Sequence, residues 1–183
     1  MSNVNAPYGL KPAKRLDGAP YAGAVTEIKI NPAGLADNIF NGSVVYLSGG
    51  YIIPASDAGT AADPFVGVVG VFVGCEYTND MGQVVHSQYY PANALNAKAK
   101  VVTDPMVLFR AQSSGTIDDT EIGAEVGLSG LGTAGSTSTG NATTSVGATD
   151  DAGASMTVVE IVTPDDTYTE VLVKINSAVH TFG

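Results

Sequence analysis

The arrangement of apolar residues along the chain constrains the fold more than any other feature. After residue 23 they occur in short stretches with a period of two, separated by Gly, Pro, Asn and Asp. A period of two is typical of β-strands, and the separating residues favour turns. The pattern therefore predicts an all-β protein: a small antiparallel β-barrel or sandwich, jelly-roll or tulip-like, with an extended N-terminal arm and little helix.

Eight segments have the composition and spacing expected of strands, and most are spaced for hairpins rather than crossovers. The predicted strands are 24–30, 43–47, 65–74, 83–89, 99–102, 106–111, 156–162 and 168–175.

In the last predicted strand, alternate residues Val171, Val173 and Ile175 share one face, so one face should be buried. We expect this strand to form a hairpin with 156–162. The link 163–167 supports the hairpin because it contains a Pro and two Asp residues, which favour turns.

Helical signal is weak in the whole chain. The best window is 118–128, where Thr116 or Asp118 could cap a short helix, but Gly123 and Gly127 interrupt it. We expect two helical turns at most.

Residues 129–155 are almost entirely Gly, Ser, Thr and Ala, and few large apolar side chains are present to offset ordering entropy. The segment is a linker or loop, or else a long exposed hairpin. Gly140 and Asn141, flanked by Thr-rich stretches, favour the hairpin. Such a hairpin would need a neighbouring subunit or surface to hold it.

The predicted organisation of the chain is an N-terminal arm (1–23), a main β domain (24–128), the Gly/Ser/Thr-rich segment (129–155) and a C-terminal hairpin returning to the main domain (156–183).

The first 23 residues differ in charge from the rest of the chain. Lys11, Lys14 and Arg15 occur before any acidic residue, which first appears at Asp17, whereas the whole chain has a net charge of −10. Several Pro and Gly residues disfavour a regular helix, and Tyr and Leu side chains offer apolar contacts. We interpret the segment as an extended anchor on another surface; the alternative is a disordered terminus with incidental charge.

Composition excludes several classes of function. The acidic balance, with a pI near 4.3, disfavours nucleic-acid binding because phosphates would be repelled. No early segment resembles a secretory signal, and no apolar run is long enough for a membrane span, so we expect a soluble protein made in a cytoplasm.

The chain lacks a recognisable catalytic, cofactor or metal motif. Its single cysteine, Cys75, follows an apolar run and is interpreted as a packing residue, although His86 could approach it across a hairpin. The GxGxxG spacing of 130–135 is followed by a Ser/Thr-rich coil instead of the helix that nucleotide binding requires. The acidic groups lack the spacing of a Ca²⁺ loop, and two distant histidines do not favour zinc. We predict no cofactor, no metal and no enzymatic activity.

Several segments together resemble a known family. They are 5–12 (NAPYGLKP), 17–21 (DGAPY), 41–47 (NGSVVYL), 65–72 (FVGVVGVF) and 171–176 (VLVKIN). They are similar to small head-associated structural proteins of tailed bacteriophages, and the two central segments look like paired strands of capsid decoration, or cement, proteins.

The resemblance implies a protein that catalyses nothing and binds the outside of a phage capsid. It would stabilise the shell by bridging subunits of the major capsid protein, as a homotrimer or dimer on the virion exterior, after assembly in the host cytoplasm, without nucleic-acid or membrane partners. The residues expected to bind the capsid are Pro7, Tyr8, Leu10, Lys11, Pro12, Lys14, Arg15 and Tyr21. A tail- or fibre-associated component is the alternative, and a ligand-binding or enzymatic β domain is a third possibility.

Overall fold

The computed structural model describes residues 3–56, 59–164 and 167–182, and the regular secondary structure of these residues is almost entirely β-strand. The strands are β1 (Lys11–Arg15), β2 (Thr26–Lys29), β3 (Val44–Ser48), β4 (Tyr51–Pro54), β5 (Val68–Thr78), β6 (Val84–Ser87), β7 (Leu95–Val102), β8 (Val107–Gln112), β9 (Glu125–Val126), β10 (Leu128–Ser129), β11 (Ser145–Val146), β12 (Met156–Ile161) and β13 (Glu170–Ile175). The all-β prediction is confirmed.

The strands form two main antiparallel sheets. Sheet I has the order β1-β8-β13-β12-β9, and sheet II has the order β2-β7-β5-β3-β4, with β6 added beside β5. Strands β10 and β11 form a separate small pair. In sheet II the edge strands β2 and β4 approach each other, so the sheet is strongly curled. Within the described residues neither main sheet closes into a hydrogen-bonded barrel.

Two apolar clusters stabilise this arrangement. The first lies between the sheets and includes Val44 and Val71 of sheet II with Phe109 and Val173 of sheet I, which makes the fold a sandwich. The second consists of sheet II residues and their loops, enclosed by the curl of that sheet. Strand β5 contributes to both clusters, and it is the central strand of sheet II because it pairs with β3, β6 and β7.

A bulge in β5 reverses the alternation of its side chains between the two clusters. Val68 and Val71 belong to the first cluster, while Val69 and Phe72 belong to the second, so the alternation of faces reverses at Gly70. The register with β3 shifts at the same place. Gly70 has a φ of 152°, and a Cβ there would lie 2.0 Å from the carbonyl oxygen of Val102. Only glycine fits this position.

All eight predicted strands are present, with different bounds. The hairpin of β12 and β13 is confirmed, with Met156 opposite Ile175. Val171, Val173 and Ile175 are buried, but Leu172 on the other face is buried too, so the expectation of a single buried face is wrong. The limit on helix is also confirmed, because the helical window contains only a 3₁₀ turn, Asp119–Glu121. Asp118 caps this turn, and its backbone N–H in turn donates to the Glu121 carboxylate.

The segment 129–155 contains the predicted Gly140-Asn141 turn, but the chain itself holds it. The Gly140 N–H donates to the Ser136 carbonyl, and the N–H of Ala142 donates 3.0 Å to the carbonyl of Asn41. Ala142 and Val146 are completely buried. The expectation that this segment needs a neighbouring subunit for support is therefore wrong. Small side chains suit a hairpin that lies directly on the body.

Among the described residues, no helix has the length and apolar character needed to cross a membrane.

Candidate functional site

The N-terminal segment, predicted to be a detached arm, is largely part of sheet I. Residues 11–15 form β1, which pairs antiparallel with β8 at the sheet edge. Leu10 is fully buried in the cluster between the sheets. Its side chain has no surface to offer a partner, so the expected capsid contact through Leu10 is wrong. The main β domain includes these residues and does not begin at position 24.

The edge position explains how a proline-containing segment forms a strand. Pro12 lies opposite Phe109, and the register shifts between Pro12 and Lys14. Proline has no backbone N–H to donate to a neighbouring strand, so it is tolerated at a sheet edge or a bulge. The sequence-based interpretation missed β1 because proline in a short run argues against a strand.

Lys11 is the most buried of the three basic residues in this segment. Its ammonium group lies 2.6 Å from Oδ1 of Asn41, 3.0 Å from the carbonyl of Asn41 and 2.8 Å from Oδ1 of Asn141. These three oxygens match the three donors of an ammonium group. Burial lowers the pKa of Lys11 to about 8. Lys11 therefore joins β1 to the start of β3 and to the 129–155 hairpin, and it is not available to a capsid.

Tyr8 makes a second link between the N-terminal segment and sheet I. Its hydroxyl donates 3.0 Å to the carboxylate of Glu170, which also forms an ion pair with Arg110. Burial, and then the hydrogen bond to Glu170, raise the pKa of Tyr8 to about 12. Before it, the backbone of Val4 and of Ala6 is bound by the side-chain amide of Gln112. The opening residues are therefore attached to the body.

The other two basic residues also have acidic partners in the same chain. Lys14 forms an ion pair with Glu160, and Arg15 pairs with Asp104 and with Asp17. Both side chains are still partly exposed, so their contact with a capsid stays a prediction. The local charge asymmetry of the sequence is compensated by acids distant in sequence, which a count over the first 23 residues cannot show.

Besides residues 4–6, the exposed part of the predicted arm is residues 16–23, which belong to the crossover loop, residues 16–25, leading from β1 in sheet I to β2 in sheet II. The apolar side chains of Leu16, at 43% exposed, and Val25, at 40%, are in contact with solvent, and Met106 is similarly exposed. The N–H of Leu16 donates 2.8 Å to the carbonyl of Met106. Tyr21 is half-buried against the inter-sheet cluster. This loop is the candidate contact surface.

Two features keep the crossover loop in a defined conformation. Its start folds back as a turn: Lys14 bridges to Pro20, and the N–H of Arg15 donates 2.9 Å to the carbonyl of Ala19. Further along, the hydroxyl of Tyr21 donates 2.8 Å to the carbonyl of Ala24. An ordered loop loses less conformational entropy on binding than a flexible one.

Cys75 is a packing residue. It is buried in the second cluster, and its Sγ lies 3.4 Å from the carbonyl oxygen of Tyr89. Burial raises the pKa of the thiol to about 12, which opposes formation of a nucleophilic thiolate. His86 pairs with Glu76, the neighbour of Cys75, and therefore projects from the opposite face of β5–β6. A Cys–His pair is not formed.

The remaining motifs do not assemble a chemical site. The GxGxxG segment 130–135 is part of the 129–155 hairpin, and it is not followed by a helix. Within the described part of the chain, no group of three His, Cys, Asp or Glu side chains is placed to hold a metal ion.

Comparisons with known proteins identify no relative: no protein-family model, no curated protein and no solved structure matches the chain. Any functional conclusion therefore depends on the residues themselves and on their arrangement.

Proposed function

We propose that the chain is a non-enzymatic virion structural protein that binds the outside of a phage capsid and stabilises it by bridging major capsid protein subunits. The observation that carries the proposal is the resemblance of residues 5–12, 17–21 and 171–176 to head-associated phage proteins. In the folded chain, Tyr8 of the first segment and Glu170, just before the last, are hydrogen-bonded. These three segments belong to sheet I and its crossover loop, whereas the other two that carry the resemblance, 41–47 and 65–72, contribute β3 and β5 to sheet II.

The crossover loop is the surface that this proposal assigns to the capsid. Leu16, Val25 and Met106 provide exposed apolar area. Pro20 and Tyr21 lie between Leu16 and Val25 in the sequence. Burial of such area contributes roughly 25 cal/mol per Å². Lys14 and Arg15 keep this loop in position through their ion pairs with Glu160 and Asp104. In this proposal they orient the contact instead of making it.

The stabilising effect follows from linkage. A ligand that binds the closed capsid lattice, but not dissociated subunits, adds its binding free energy to the stability of the shell. Repetition over many equivalent sites multiplies a modest contact. The net charge of −10 would discourage self-association of the outward-facing body in solution. A trimer or dimer centred on a capsid symmetry axis fits this role.

The test is co-sedimentation of purified chain with purified capsids from the same source. Leu16→Asp should weaken binding by at least about tenfold, since it places a desolvated charge in the contact. Ile122→Asp is the matched control, because Ile122 is similarly exposed, at 50%, but lies beside the 3₁₀ turn instead of the crossover loop.

The control should bind capsids like the unaltered chain, and both variants should keep its thermal unfolding midpoint. Equal binding by Leu16→Asp and the unaltered chain would show that the crossover loop does not contact the capsid. An unaltered chain that fails to sediment with capsids would overturn the proposed function itself.

A further inference from the structure

A pocket opens where the two edges of curled sheet II approach each other. It has a volume of about 250 Å³ and lies beside the end of β2, the start of β4 and the start of β7. The pocket is lined by Lys29, Ile30, Pro32, Tyr51, Asn96, Ala97 and Lys98. It is separate from the crossover loop, which reaches sheet II at the opposite end of β2.

Two lysines form one side of this pocket. Lys29 on β2 and Lys98 on β7 are direct partners in the antiparallel ladder, so their side chains leave the same face of the sheet. Like charges directly opposite each other destabilise a strand pair. The chain has only 8 Lys and Arg residues against 18 Asp and Glu residues, so a lysine pair is not a consequence of a generally basic surface.

The charge of the pair is only partly compensated inside the chain. Lys98 lies 3.0 Å from Glu76, and the next outward lysine of β7, Lys100, is opposite Glu27. Lys29 has no ion pair among the described residues, and its cross-strand neighbour is another cation. An anion placed between Lys29 and Lys98 would compensate the charge of Lys29.

The rest of the pocket is suited to a compact, partly apolar ligand. Pro32 and Tyr51 border the pocket, and Ile30 and Ala97, which are buried in the second cluster on the other face of the sheet, lie beneath it. Asn96, held in a left-handed conformation with a φ of 53°, brings an amide side chain to the same pocket. An apolar lining with a few convergent polar groups is typical of small-molecule sites, and this volume suits a single sugar-sized ring.

We propose that this pocket binds a small organic anion, a carboxylate carried on a ring of monosaccharide size, such as a uronic acid. The carboxylate lies between Lys29 and Lys98, the ring lies against Tyr51, and Asn96 hydrogen-bonds a ring substituent. Lys98 exchanges part of its contact with Glu76 for the ligand. This site is independent of capsid binding and goes beyond the proposed function.

The experiment is a titration of the full chain with glucuronate, followed by backbone amide NMR shifts and calorimetry. Glucose tests whether the charge is needed, and acetate tests whether the ring is needed. We expect saturable binding of glucuronate, with amide shifts centred on residues 29–31, 51 and 96–98, and at least about tenfold weaker binding of glucose and acetate. No saturable glucuronate binding, or equal binding of glucose or acetate, would overturn the proposal.

Three variants test the assignment of residues. Lys29→Gln should weaken glucuronate binding by about tenfold, whereas Lys100→Gln, on the same face but outside the pocket, should leave it unchanged. Glu76→Gln should strengthen binding by roughly threefold, because it releases Lys98 for the ligand. Each variant is checked for an unchanged unfolding midpoint. Equal effects of Lys29→Gln and Lys100→Gln would mean general charge attraction and would contradict a specific pocket.

Discussion

The ammonium nitrogen of Lys11 lies 2.8 Å from Oδ1 of Asn141, a residue 130 positions further along the chain. The same nitrogen contacts Asn41, so three distant parts of the sequence meet at one side chain. Asn41 also exchanges backbone hydrogen bonds with the 140–142 turn. The N-terminal segment and the Gly/Ser/Thr-rich hairpin therefore hold each other on the body.

Replacing Lys11 with Met should lower the free energy of unfolding by about 1–3 kcal/mol, because the oxygens of Asn41 and Asn141 lose their donor in a half-buried site. The matched change Lys14→Met removes an exposed ion pair with Glu160 and should cost about 0–1 kcal/mol. Urea denaturation measures both. Equal losses for the two variants would show that the Lys11 contacts have no special role.

The depressed pKa of Lys11 predicts a pH dependence of stability. The folded value is about 8, against an ordinary value of 10.5, so between these values the unfolded chain binds more protons. The free energy of unfolding should therefore rise as the pH increases from about 8 towards 10.5. The comparison is the unaltered chain against Lys11→Met over this range. A difference between them that stays constant with pH would contradict the depressed pKa.

Leu10→Ala should destabilise the fold by about 2–5 kcal/mol, because it creates a cavity in the inter-sheet cluster. Leu16→Ala, on the exposed crossover loop, should change stability by no more than about 0.5 kcal/mol. Thermal and urea unfolding distinguish the two. A detached arm would instead make Leu10→Ala as mild as Leu16→Ala. For the same reason, deletion of residues 1–15 should destabilise the body.

Gly70→Ala should be among the most damaging single changes. Its new methyl group would meet the Val102 carbonyl at 2.0 Å, and the β5 backbone would have to shift. Gly82→Ala is the control: its φ is also positive, at 76°, but no atom lies within 4 Å of the added carbon. We expect a loss of roughly 1 kcal/mol for Gly82→Ala and more than about 4 kcal/mol for Gly70→Ala. Similar soluble yields and unfolding midpoints for both would argue against the bulge.

Cys75 should not react with Ellman's reagent in the folded chain at pH 8, because its thiol is buried and its pKa is raised to about 12. In denaturing urea the same thiol should react completely. Rapid labelling of the native protein would show that β5 and β6 separate easily, in conflict with the packed second cluster.

The period-two pattern predicted the fold class and eight strands because those strands have at least one buried or partly buried face. It missed β1, where Pro12 argues against a strand, the two-residue strands β9, β10 and β11, and β4. A usable signal for β4 existed: Gly49 and Gly50 separate β3 from β4 and have positive φ angles of 57° and 87°. A Gly-Gly pair between two apolar runs is typical of a two-residue hairpin turn.

The site was less predictable because its contacts are long-range. The sequence marks Lys11, Lys14 and Arg15 as unusual, yet their partners Asn141, Glu160 and Asp104 are distant in sequence, and local patterns do not encode such pairings. The pocket between Lys29 and Lys98 depends in the same way on the register of β2 with β7. Charge counted by segment therefore suggested an anchor, whereas the structure shows an edge strand followed by an exposed loop.

Attachment to a capsid lattice can be measured as the copy number of this chain in purified virions, by quantitative mass spectrometry against the major capsid protein. Lattice-wide attachment should give roughly one copy for every one or two major capsid protein subunits, in a symmetric arrangement. A handful of copies per particle, or absence from particles, would contradict it.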